Sequence, residues 1–96
     1  MKPARYKKAF LKQFSDLSPE KKTLVWKAIE VLENFRGESV TSHGLAVKKL
    51  HETSRWKVFE ARAGIDLRVV WVESSEESVF SLIGNHDDVR RFLKNL

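Results

Sequence analysis

Three apolar segments crowd the second half of the chain: RWKVFEARA, LRVVWVE and VFSLIGNH. They are separated only by a glycine-containing link and by the polar loop SSEES. Segments of this length, rich in Val, Phe and Trp and bounded by turn residues, read as strands. Links this short cannot carry a crossover, so the three strands form an antiparallel meander. Alternation along each strand then assigns faces. Trp56, Val58, Glu60 and Arg62 share one side of the first strand, opposite Lys57, Phe59, Ala61 and Ala63. Arg68, Val70 and Val72 share one side of the second, opposite Leu67, Val69 and Trp71. In the third, Phe80, Leu82, Gly84 and His86 oppose Val79, Ser81, Ile83 and Asn85. Both faces of the second and third strands are largely apolar.

The first third of the chain has a helical period. Tyr6, Phe10, Phe14 and Leu17 make one apolar stripe. The stretch LSPEKK breaks it, with Ser18 suited to cap a second helix, Pro19 to its first position and Glu20 to its positive dipole end. That helix runs to about Arg36, buries Leu24, Val25, Ala28, Val31, Leu32 and Phe35, and ends at Gly37. Trp26 falls on its polar side, where it either folds over the helix edge into the core or anchors a partner. Residues 38–53 read as a loop with a short strand or turn near Val47–Leu50, and a first strand within Met1–Arg5 has only a weak signal. The ending DDVRRFLKNL reads as a C-terminal helix, with Asp87 or Asp88 as its cap. The expected architecture is α+β in a single domain over residues 1–96. A helical hairpin packs on one face of a small antiparallel twisted sheet, followed by a short C-terminal helix.

Composition narrows the chemistry. The 96 residues contain no cysteine, which excludes disulfides and thiolate metal sites and suits a cytoplasmic protein. No apolar run approaches the roughly 18 residues that span a bilayer. The basic start MKPARYKK lacks the apolar stretch of a secretory signal, so neither membrane nor export is expected. His43, His51 and His86 have no helical metal-ligand spacing, so no metal or other cofactor is expected. Net charge is +5 over the whole chain, and the first 27 residues hold eight lysines and arginines against Asp16 and Glu20. Such a face attracts nucleic acid or an acidic partner, or is simply solvated.

Within the strands, Glu60, Arg62, Arg68 and His86 are the polar residues that a suitable register could bring together. A carboxylate, two guanidiniums and an imidazole suffice to cleave a phosphodiester without metal. A base takes the proton of the attacking 2′-hydroxyl, arginines stabilise charge on the phosphoryl oxygens, and an acid protonates the leaving oxygen. The same residues also fit a surface ladder of salt bridges with His86 at a strand end, and spacing alone leaves both open.

The segments KKAFLKQFSDLSPEKK, LAVKKLHETSRWKVFEARAG, DLRVVWVE and LIGNHDDVRRFL together resemble the RelE/ParE superfamily of bacterial type II toxins, from about Arg5 to Leu93. The resemblance implies the α+β fold expected above and a toxin held inactive by a cognate antitoxin. Its ribonuclease branch implies a metal-independent mRNA endonuclease acting on the ribosome. Its other branch implies a DNA gyrase inhibitor, and a toxin fold that has lost catalysis is the remaining alternative. Carried over by position, Arg68 matches the arginine on the scissile phosphate, and Glu60 and Arg62 fall where some members place paired basic residues. His86 falls where members carry an arginine or histidine as acid or charge stabiliser. The assignment expected here is Arg68 as clamp, Arg62 as second clamp, His86 as acid and Glu60, which departs from the basic pattern, as base. Lys48, Lys49, Arg90 and Phe92 are the residues the resemblance sets against RNA. Arg90 stands where many relatives with a His-Asp-Asp ending have tyrosine.

Overall fold

The computed structural model describes residues 3–34 and 46–96, with the elements β1 (Ala4–Tyr6), α1 (Lys8–Ser15), α2 (Pro19–Asn34), β2 (Lys48–Glu52), β3 (Lys57–Arg62), β4 (Arg68–Glu73), β5 (Ser78–Gly84) and α3 (His86–Lys94). The sheet order is β1-β5-β4-β3-β2. The meander β2 to β5 is antiparallel, as its short links require, whereas β1 lies parallel to β5 and makes the sheet mixed. The expectations for Phe35, Arg36, Gly37 and His43 lie outside the described residues. No helix among the described residues is long and apolar enough to cross a membrane.

Tyr6 belongs to β1 and not to the helical stripe. Its ring stacks on Phe80 of β5, with centroids 4.9 Å apart, and its hydroxyl donates to a Glu33 carboxylate oxygen of α2 at 2.5 Å. The parallel pairing is extended on either side, where Ser78 N–H donates to Pro3 carbonyl oxygen at 2.9 Å and Lys7 N–H to Phe80 carbonyl oxygen at 3.0 Å. Ser18 Oγ accepts from Lys21 N–H at 3.4 Å, so α2 starts where its capping signal lies. Its buried stripe is Val25, Ala28, Ile29 and Leu32, rotated from the expected one. Leu24 is left exposed, and so is Trp26, at 53% of its surface.

Helices cover both faces of the sheet, not one. Phe10 of α1 and the α2 stripe pack on the upper face against Ala61, Val69, Trp71, Phe80 and Ile83. Val89, Phe92 and Leu93 of α3 pack on the lower face against Val58, Val70, Val72 and Leu82. The reason is the one the strands advertise: a sheet apolar on both sides must be covered on both sides. Strict alternation fails once along β5. Trp71 pairs with Phe80 and Val70 with Leu82, so Ser81 is an extra residue. This bulge turns Phe80 to the upper face while Leu82 and Gly84 stay on the lower one. Near the bulge, the Ile83 N–H is satisfied by Gln13 Oε1 of α1 at 2.9 Å.

Candidate active site

The register of β3, β4 and β5 sets the site. Arg62 faces Arg68 across β3 and β4, and Arg68 faces Gly84 across β4 and β5. Two residues along the strands, Lys48, Glu60, Val70 and Leu82 form the next row on the same face, from β2 to β5. Directly opposed residues in an antiparallel pair project to the same side, so both rows lie on the lower face with Val58 and Val70. Two guanidiniums, a carboxylate and an ammonium are thereby held on neighbouring strands at one end of the sheet.

His86 reaches this end by a different route than alternation predicts. It is the first residue of α3, not the last of β5. Asn85 is the cap, in place of Asp87 or Asp88. Its Oδ1 accepts from Asp88 N–H at 2.9 Å, and Asp88 Oδ2 accepts from Asn85 N–H at 2.9 Å, completing a capping box. Asp88 also pairs with Arg91 one turn on. Asp87 and Asp88 both lie in the first turn, where negative charge suits the helix dipole. The close approach made possible at Gly84 is used by Asp88. A methyl group there would lie 2.6 Å from Asp88 Cβ.

A cleft of about 430 Å³ opens at the end of the sheet, lined by Ile65, Asp66, Arg68, Asn85, His86 and Asp87. Arg68 is half-buried, and its Nη1 donates to the carbonyl oxygens of Ile65 at 3.3 Å and Leu67 at 3.2 Å. The guanidinium is thus fixed to its own turn, with Nη2 and Nε left to bind a ligand. It has no carboxylate partner among the described residues. His86 is exposed beside it. Glu60 and Arg62 are on the same sheet face but do not line this cleft. Glu60 is 9% exposed and, among the described residues, has no hydrogen bond or ion pair. It faces Lys48 across β2 and β3.

The residues expected to meet RNA are spread more widely. Lys48 and Lys49 are exposed on edge strand β2, and Lys49 Nζ binds Glu52 Oε1 at 2.6 Å, which with Lys57 holds the Glu52 carboxyl below its ordinary range. Arg90 is exposed on α3, whereas Phe92 is half-buried in the lower apolar cluster. No group of three or more histidine and carboxylate residues placed to hold a metal occurs among the described residues. Sequence reasoning missed Asn85, Asp66 and Ile65. The Asn85–Asp88 spacing is a capping-box signal that identifies the first. The other two sit in a turn whose place beside α3 only the tertiary structure reveals.

Two consecutive helices on one face of a five-stranded mixed sheet and a capped helix on the other make up a RelE-like fold, as its likeness to solved structures shows. A chain of the archaeal RelE–RelB complex from Pyrococcus horikoshii superposes with a TM-score of 0.69 at 20% identity, over 88% of this chain and 93% of that one. A copper-bound mutant toxin from Helicobacter pylori gives 0.63 at 16% identity, over 93% of this chain and 99% of that one. No family model and no curated protein sequence matches the chain.

Proposed function

We propose that this chain is the toxin of a toxin–antitoxin pair and acts as a metal-independent mRNA endonuclease on the ribosome. The observation that carries the reading is the cleft shared by Arg68 and His86, with Arg62 across the strand pair from Arg68. The scissile phosphate binds at the free edge of the Arg68 guanidinium, and Arg62 adds a second positive charge. Glu60 takes the proton from the 2′-hydroxyl, whose oxygen attacks phosphorus. His86 gives a proton to the departing 5′-oxygen. The products are a 2′,3′-cyclic phosphate and a free 5′-hydroxyl. The likeness to a chain of the archaeal RelE–RelB complex supports a cognate antitoxin as partner. Lys48, Lys49 and Arg90 extend the positive surface toward RNA, and the cytoplasm is where mRNA and ribosomes are found.

The test is cleavage of ribosome-bound mRNA by the purified chain. Cleavage that disappears in Arg68→Ala and in His86→Ala, with both variants folded, supports the assignment. His86 is exposed, so its loss should change stability by no more than about 0.5 kcal/mol. Intact mRNA together with arrested gyrase supercoiling would move the function to the inhibitor branch.

A further inference from the structure

The hairpin between β2 and β3 carries a feature that phosphoester chemistry does not use. The rings of His51 and Trp56 meet with centroids 5.5 Å apart and planes inclined by 42°. Trp56 is half-buried against the lower apolar cluster, while His51 is exposed. The turn that presents them is locked. Thr53 Oγ1 accepts from Arg55 N–H at 3.2 Å and Trp56 N–H at 3.1 Å, and Thr53 N–H donates to Trp56 carbonyl oxygen at 2.8 Å. The pair is therefore an aromatic surface with one ring half-buried on a fixed turn and the other exposed.

Its position is as informative as its rigidity. The irregularity between Lys49 and His51 makes Lys48 face Glu60 and His51 face Val58. Lys48 and His51 therefore both project to the lower face, the face of the cleft. Lys49 and Lys57 are occupied by Glu52, at 2.6 and 3.8 Å. Lys48 and Arg55 have no carboxylate partner among the described residues and flank the rings. From Arg62 back to Trp56 is six residues of β3, about 20 Å at ~3.3 Å per residue. Val58 and Glu60 between them are buried, so several nucleotides of extended RNA would span that distance along the exposed edge strand β2, past Lys48. Phe92, half-buried in its cluster, offers less ring than the exposed His51. A cationic track ending on a fixed aromatic ring is how single strands are held without sequence readout.

We propose that the His51 imidazole, backed by Trp56, stacks on one base of single-stranded RNA whose backbone runs from the Arg68 cleft along the exposed edge strand β2, past Lys48. This rests on RNA being the substrate. The experiment uses the full chain and a fluorescein-labelled single-stranded RNA made uncleavable by 2′-O-methylation, with binding read by anisotropy. His51→Ala should weaken binding at least about fivefold, whereas His51→Phe, which keeps a ring, should stay within about twofold of the unsubstituted protein. The thermal midpoints of both variants should match the parent, since His51 is exposed. Unchanged RNA binding by His51→Ala overturns the platform, and does so equally if that variant instead loses affinity for the antitoxin. A parent protein that binds no RNA also overturns it, and cleavage of ribosome-bound mRNA then tells whether the nuclease reading falls too.

Discussion

Replacing Gly84 by alanine should damage both the fold and the site, and the size of the effect follows from the start of α3. The added methyl group would sit 2.6 Å from Asp88 Cβ, 2.7 Å from its Oδ2 and 3.0 Å from its Cγ. Carbon atoms in good contact are about 3.5–4.0 Å apart, so the first turn of α3 must move by about 1 Å. Turning the Asp88 side chain gives no relief, because its Cβ is the obstructing atom. The movement breaks the reciprocal bonds between Asn85 and Asp88, worth about 1 kcal/mol as a cap, and adds an overpacking cost of about 1–3 kcal/mol. The expected loss is about 2–4 kcal/mol, a large part of the roughly 5–15 kcal/mol that holds a domain together. Urea titration followed by far-ultraviolet circular dichroism measures it. Asp88→Gly removes the obstruction at the expense of the cap. In that background Gly84→Ala should be milder by at least about 1 kcal/mol. A loss below about 0.5 kcal/mol in the parent, or equal losses in both backgrounds, refutes the reasoning. Since His86 opens the same turn, the proposed RNA cleavage should fall with stability.

Burial first, and then the bond to the Glu33 carboxylate, hold the Tyr6 hydroxyl well above its ordinary value of 10.0. The folded chain thus keeps a proton that the unfolded chain gives up first. Its stabilising contribution is complete below about pH 10 and shrinks as pH rises further, and Tyr6→Phe should abolish that alkaline decline in urea midpoints. Phe80 is fully buried where α1, β1 and β4 meet, so Phe80→Ala should cost about 3–5 kcal/mol by the same titration. Asn85→Ala removes the cap side chain and should cost about 1 kcal/mol. Trp26→Ala should leave stability within about 0.5 kcal/mol, because the ring is mostly exposed.

The meander was readable because its strands carry period-two patterns and its links are too short for anything else. The second helix was readable at its start, where Ser18 and Pro19 are local signals. What escaped depends on contacts distant in sequence. Tyr6 fits a helical stripe, but pairing with β5 and stacking on Phe80 place it in a strand. Ser81 gives no hint of a bulge, since an extra residue shows only when β4 and β5 are paired. The covering of both faces was implied by the apolar composition of β4 and β5, yet which helix takes which face is a matter of topology. Glu60, Arg62 and Arg68 fell on a shared face because β3 and β4 pair in unbroken register. His86 kept its place for another reason: Asn85 breaks the strand and starts the helix that carries it.

The electrostatics of this end of the sheet argue for an anionic ligand independently of the fold comparison. Arg62 and Arg68 are direct neighbours across β3 and β4, an arrangement that repels. Among the described residues neither has a carboxylate partner. Asp66 and Asp87 line the cleft without pairing to Arg68, and Asp88 is taken up by the cap and Arg91. The one cost that is visibly relieved is at Arg68, where two turn carbonyls accept from Nη1 and fix the group in direction without neutralising it. A guanidinium held in place while keeping its full charge is preorganised for charge that arrives from outside. Under the proposed endonuclease function, a phosphodiester would supply it, and the pentacoordinate state reached during cleavage would supply more. Under that proposal the repulsion between the two arginines would become attraction that grows along the reaction, as transition-state stabilisation requires.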